Sequence, residues 1–305
     1  MNAATVAAHL CAFGTTLVWG MTFISTKVLL EGSTPLEVLF YRFVLAVAIM
    51  FAMRPRLFSH GRGWREELLF MGAGATGITI YFFFENVALT LTYASNVSLI
   101  ICAAPFFVGI VARIFLKEEL HANFFTGFFV AIAGIALITF NGAAFLGLNP
   151  RGDFLAVGAA LSWAFYSTFT RRIFSRGYPL LEATRRILVW GLITIAISLP
   201  VQGELHFPDL ANPVVLGNYL FLGVLASSIC FVTWNYGLRV LGAVKASAYI
   251  YLTPVVTVLG AWVILDEQIT KLSALGMVLT LTGLVLSETH GNIFKKLARP
   301  CRQRG

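Results

Sequence analysis

The sequence is short of charge. Only 12% of its 305 residues are Asp, Glu, Lys or Arg, about half the share usual in a soluble domain, while 58% are hydrophobic. Long polar connections are missing too, which excludes a separate soluble catalytic domain. The four cysteines, Cys11, Cys102, Cys230 and Cys301, have neither paired spacing nor accompanying histidines, so no disulfide or metal framework is legible. No GxxxxGK[ST] loop is present, which excludes direct drive by ATP, and no cofactor is expected. Chemistry inside a membrane needs convergent acids, a metal cluster or a nucleophile with its base. Here there is no HExxH, and His9, His60, His121, His206 and His290 all fall in loops or at helix ends.

What the chain does have is length without polarity. Successive apolar stretches cover 7–30, 36–53, 68–90, 95–116, 123–143, 152–175, 182–201, 214–238, 246–265 and 273–290. Each approaches the roughly 20 residues that carry a helix across about 30 Å of hydrocarbon. The expectation is an all-α integral membrane protein of ten transmembrane helices embedded in a lipid bilayer. The first stretch reads as a retained span rather than a cleaved leader, because nothing before Lys27 is basic. With the N-terminus inside, seventeen Lys and Arg fall on the cytoplasmic side and four (Lys27, Arg42, Arg151, Lys271) on the other, with Arg113 inside a span. That bias predicts both termini cytoplasmic, in a plasma membrane of the bacterial inner-membrane type. The net charge of +8 then reflects topology and attraction to anionic headgroups, chiefly in the tail KKLARPCRQR, and not nucleic-acid binding.

The chain also repeats itself. PFFVGIVARIFLKEEL begins at Pro105 and PVVTVLGAWVILDEQI at Pro254; each reaches a glutamate, Glu118 or Glu267, thirteen residues on. An offset of 149 also carries Gly74 to Gly223, Asn86 to Asn235, Ser98 to Ser247, Gly127 to Gly276 and Gly134 to Gly283. Earlier in the chain an offset of 144 carries Trp19 to Trp163, Thr26 to Thr170 and Arg42 to Arg186. The reading is a first five-helix repeat at 1–143, an inter-repeat loop at 144–151, a second repeat at 152–290 and a basic cytoplasmic tail at 291–305. Five is odd, so the second copy enters the membrane from the other side and the repeats are inverted.

Tandem halves, each with a mid-span Trp in the first helix, an Arg early in the second, and a Pro followed by a short helix ending in Glu (KEEL, DEQI), resemble EamA-type members of the drug/metabolite transporter superfamily. The resemblance covers nearly the whole chain. It implies a cavity lined mainly by the first, third and fourth helices of each half, and often export of amino acids or related small metabolites by alternating access. Lipid or nucleotide-sugar transport within the same superfamily is the alternative, and an integral membrane enzyme a more distant one. The oligomeric state is not legible.

Ten residues form the expected substrate site: Trp19, Thr22, Tyr81, Glu85, Ser98, Cys102, Trp163, Tyr166, Ser247 and Tyr251. Thr15, Trp19, Thr22 and Thr26 share one face of the first helix, and Trp163, Tyr166 and Thr170 repeat it in the sixth. These faces read either as a cavity wall or as helix packing joined by hydroxyls. Pro105 and Pro254 lie mid-span, where each frees the carbonyl four residues earlier, at Ile101 and Ile250. Ser98 and Cys102 share a face with the first proline, Ser247 and Tyr251 with the second. Glu85 alone among fourteen acids lies well within a span, one turn from Tyr81, and so either faces a wet cavity, with protons as a possible partner, or snorkels to the outer surface. Glu118 and Glu267 read as helix-end residues, solvated or capping the start of the next helix, and Arg42 and Arg186 as structural anchors ahead of ligand binding. The aromatic walls and the single acid suit a zwitterionic or neutral, partly apolar solute.

Overall fold

The computed structural model describes residues 2–55, 63–91, 97, 100–118, 120, 122–139, 150–201, 205–265 and 271–288. Ser98, Glu267, most of the inter-repeat loop and the basic tail lie outside the described residues.

The regular structure of the described residues is helical, without strands. We number the helices α1 (Ala3–Leu30), α2 (Pro35–Met53), α3 (Trp64–Leu91), α4 (Ala104–Leu116), α5 (Ala122–Thr139), α6 (Pro150–Ser175), α7 (Leu180–Ser198), α8 (Pro213–Leu241), α9 (residues 243–265) and α10 (Lys271–Glu288). Of these, α1, α2, α3 and α8 are long and apolar enough to cross a membrane on length and composition alone. The others fall short for identifiable reasons. α6 carries Ser162, Trp163, Tyr166, Ser167, Thr168 and Thr170 in its middle, and α7 begins with Glu182, Arg185 and Arg186; all of these are buried within the bundle rather than turned to lipid. In a bilayer every backbone polar group must be satisfied internally, which is why the chain resolves into helices packed on helices.

Local chemistry sets the boundaries. Thr34 and Glu37 form a reciprocal cap on α2, with Pro35 in its first turn. Gly242, at φ 89°, makes the sharp turn between α8 and α9.

The helix contacts follow the duplication. α3 packs on α6 as α8 packs on α1; α4 packs on α6 as α9 packs on α1; α2 meets α8 as α7 meets α3. Across the middle α2 faces α7, α4 faces α9 and α5 faces α10. Each repeat is therefore incomplete alone, since its first helix beds against the third and fourth helices of the other. The α5–α10 seam is the closest approach: a Cβ added at Gly134 would lie 2.5 Å from the backbone nitrogen of Thr280, and one at Gly283 would lie 2.4 Å from that of Ala131.

Both third helices widen at the same place. A π-helical segment runs through Ala75–Ile80 in α3 and another through Phe221–Ile229 in α8, at positions equivalent under the 149-residue offset. Such segments shift the backbone ladder by one residue and leave carbonyls available to other donors. Trp19 of α1 donates its indole N–H to Ala226 O in the second segment at 3.1 Å, and Ser162 of α6 donates to Thr76 O in the first at 2.7 Å.

Candidate functional site

A pocket opens between the repeats, lined by α1 (Trp19, Thr22, Phe23), α2 (Arg42), α3 (Tyr81, Phe82, Glu85), the start of α4 with the turn before it (Ile101, Cys102, Ala104), α6 (Trp163) and α9 (Ile250, Thr253). Its floor is aromatic. Trp19 and Trp163 meet edge to face with centroids 5.4 Å apart, Trp19 lies 5.0 Å from Trp234, and Tyr81 lies 5.0 Å from Trp163. Aromatic pairs in these geometries add about 0.5–1.5 kcal/mol each beyond burial, so this wall is rigid.

The charged groups that line it are Arg42 and Glu85. Glu85 is 2% exposed and lies one turn from Tyr81, which lines the same pocket. Arg42 is 1% exposed and is attracted by the Glu85 charge. The Arg42 Nε donates to Ser227 Oγ at 2.5 Å, and the guanidinium carbon sits 4.2 Å from the Phe82 ring centroid. Among the described residues neither of its terminal nitrogens has a hydrogen-bond partner. Burying two charged groups costs several kcal/mol of desolvation unless well compensated, so this constellation is one that packing alone does not favour.

The prolines act where the sequence places them. Helix α4 restarts at Ala104 after a turn at Cys102–Ala103, with Pro105 in its first turn, and in α9 a 3-10 turn at Tyr249–Tyr251 precedes Pro254. The Cys102 thiol points at Ile250 O, the carbonyl that Pro254 frees, at 3.8 Å. Ile101 and Ile250, the residues whose carbonyls the prolines free, both line the pocket.

Six of the ten expected residues meet here: Trp19, Thr22, Tyr81, Glu85, Cys102 and Trp163. Ser98 lies outside the described residues. The other three are placed elsewhere. Tyr166 is fully buried, donating to Asn235 Oδ1 at 2.7 Å. Ser247 donates to Val244 O at 2.8 Å within its own helix. Tyr251 is not among the pocket's lining residues and packs behind Cys102 in a cluster with Ala131, Ile135 and Leu284. Tyr249 turns away as well, its hydroxyl 2.7 Å from His9 Nδ1.

Arg42, which from sequence reads as an anchor ahead of a ligand-binding residue, lines the pocket although it is not among the ten expected residues. The sequence signal was an asymmetry between the repeats, since the position equivalent to Glu67 under the 149-residue offset is Leu216; in the structure Arg186, the repeat equivalent of Arg42, is ion-paired with Glu67 and lies over Phe70. Phe23, Phe82 and Thr253 also line the pocket and carried no pattern of their own. Glu118 accepts from the backbone of Ala243 and Val244 at the start of α9, at 3.5 and 3.4 Å, with Arg171 3.7 Å away.

A duplicated helical bundle whose halves share one pocket defines a membrane transporter. The EamA-like transporter family matches residues 6–140 and again 150–289, and the chain belongs to that family, within the drug/metabolite transporter superfamily. A relative from Archaeoglobus fulgidus, described as an uncharacterized transporter, is 28% identical over 293 residues, covering 94% of this chain and 98% of its own. A probable amino-acid metabolite efflux pump of Escherichia coli is 26% identical, covering 89% and 91%. A probable terminal-alkyne amino-acid exporter of Streptantibioticus cattleyicolor is 28% identical, covering 89% and 90%. One solved structure shares the fold with a TM-score of 0.73 at 22% identity, over 92% of this chain and 97% of that one.

Proposed function

We propose that the protein is a secondary transporter that exports amino acids or related small metabolites by alternating access through the pocket between its repeats. One observation carries the reading: a single acid and a single arginine, both buried, face an aromatic pocket that neither repeat could form alone. Such a wall suits a solute with an apolar body and paired opposite charges. Two relatives named for amino-acid export support the substrate class. We take 1–143 and 152–290 as the two rocking units, with both termini cytoplasmic in a bacterial inner membrane and the 291–305 tail against anionic headgroups.

Glu85 is the group through which protons would couple to transport. The groups facing it are the Tyr81 hydroxyl and Arg42, with Cys102 near Tyr81 and Cys230 near Arg42. The test is flux from liposomes containing the purified protein, loaded with a panel of labelled amino acids. Release of apolar or aromatic members above protein-free liposomes supports the reading; release of a nucleotide sugar, or scrambling of lipid, with no amino acid moved would overturn it.

A further inference from the structure

We propose that Arg42 is the anion receptor of this pocket, gripping the carboxylate of the solute through its two terminal nitrogens. The inference rests on the reading of the pocket as a substrate site and goes beyond it, because it assigns one residue and one chemical class.

The argument starts from the duplication. Arg42 and Arg186 occupy equivalent positions, and each lies over a phenylalanine, at 4.2 Å from Phe82 and 4.5 Å from Phe70. They differ in what neutralises them. Arg186 pairs with Glu67, which also accepts from the Trp190 indole at 2.9 Å. The equivalent of Glu67 is Leu216, so the second copy supplies no acid to Arg42. What holds Arg42 is a hydroxyl: Ser227 Oγ takes Nε at 2.5 Å, on the edge of the guanidinium. Both terminal nitrogens are left without a hydrogen-bond partner among the described residues, although the side chain is 99% removed from solvent and lines the pocket.

A planar guanidinium pinned through Nε and stacked on a ring presents donors in a fixed fork, the geometry that fits a carboxylate with two parallel hydrogen bonds. Glu85 lines the same pocket but forms no ion pair with Arg42 within 4.0 Å among the described residues, so it leaves the guanidinium fork unclaimed. A solute carrying carboxylate and ammonium would meet Arg42 with the first and Glu85 with the second, while its apolar part lies against Trp19 and Trp163. An uncharged isostere would leave the fork unpaired in a low-dielectric site, which is how buried polar groups reject analogues.

The experiment is equilibrium binding by calorimetry to the full-length purified protein in detergent, with hydrocinnamate and its primary amide as probes at neutral pH. Wild type is expected to bind the carboxylate at least about tenfold more tightly than the amide, in line with loss of a charged hydrogen-bond pair. Arg42→Gln should level the two, Arg42→Lys should recover part of the preference, and Ser227→Ala should weaken it. Equal or tighter amide binding by wild type, no carboxylate binding at all, or a preserved preference in Arg42→Gln would each overturn the assignment. Should the Arg42 variants fail to fold, the wild-type comparison alone decides. Carboxylate binding without flux of any amino acid would leave the receptor standing and sink the transport reading instead; flux with no carboxylate preference would do the reverse.

Discussion

Tyr166 and Glu85 sit on helices that both reach the pocket, and packing treats them oppositely. Tyr166 shares a helical face with Trp163, but its ring fills the space beside Gly77, where an added Cβ would come within 2.1 Å of it. Periodicity shows that two residues share a face; it does not show which neighbour claims each one. Gly77→Ala is therefore expected to lower stability by about 1–3 kcal/mol through overpacking, and Tyr166→Phe by about 1–2 kcal/mol by stranding the Asn235 amide, both read as midpoint shifts in thermal unfolding. Unchanged midpoints would mean that the ring is free to move. Glu85 was legible because it is an acid alone in an apolar run, and such a residue has to face something polar. Arg42 was not, since the same basic residue near a span end serves equally as an anchor in headgroups; only the contacts of Ser227 and Phe82 separate the two. If Glu85 carries the proton, Glu85→Gln keeps the shape and removes titration, giving inserted protein whose transport no longer varies with pH. An unchanged rate and pH profile would reduce Glu85 to a fixed counter-charge.

At the scale of the helix, the proline breaks were readable from sequence and the π-helical segments were not. Proline removes a donor wherever it stands, so α4 and α9 had to yield near Pro105 and Pro254. The segments at Ala75–Ile80 and Phe221–Ile229 depend on tertiary donors such as Trp19 and Ser162, which no local pattern announces. The glycines of α5 and α10 were legible as a spacing and are explained by backbone contact, so Gly134→Val or Gly283→Val should split the seam and cost several kcal/mol, about 2–4 on the scale of core overpacking and lost helix contact. Thermal unfolding in detergent checks this, and wild-type stability in Gly283→Val would contradict it. Glu118, Arg171 and the start of α9 tie one end of the pocket's walls together. Glu118→Gln keeps the acceptor and loses the charge, and is expected to speed opening at that end, seen as faster proteolysis or thiol labelling of α9.

For the whole molecule, the duplication was the most legible feature, because a repeated residue pattern survives where substrate contacts do not. It foretells paired helices, and the contacts of α3 with α6 and α8 with α1 follow from it. It does not foretell the asymmetry, Glu85 against Trp234 and Glu67 against Leu216, on which chemistry depends. Inversion further predicts that reporter fusions after Ser59 and after Arg299 read cytoplasmic and one after Asp209 external; opposite compartments for the two ends would break the inverted-repeat account. The central claim is that one pocket is reached in turn from both faces. The most direct measurement places a cysteine at Thr22 in a background with Cys11, Cys102, Cys230 and Cys301 replaced, and applies a membrane-impermeant thiol reagent to either side of oriented vesicles. Labelling from each side, slowed from both by a transported solute, is the predicted result. Labelling from one side only, unchanged by any solute that crosses, would contradict it.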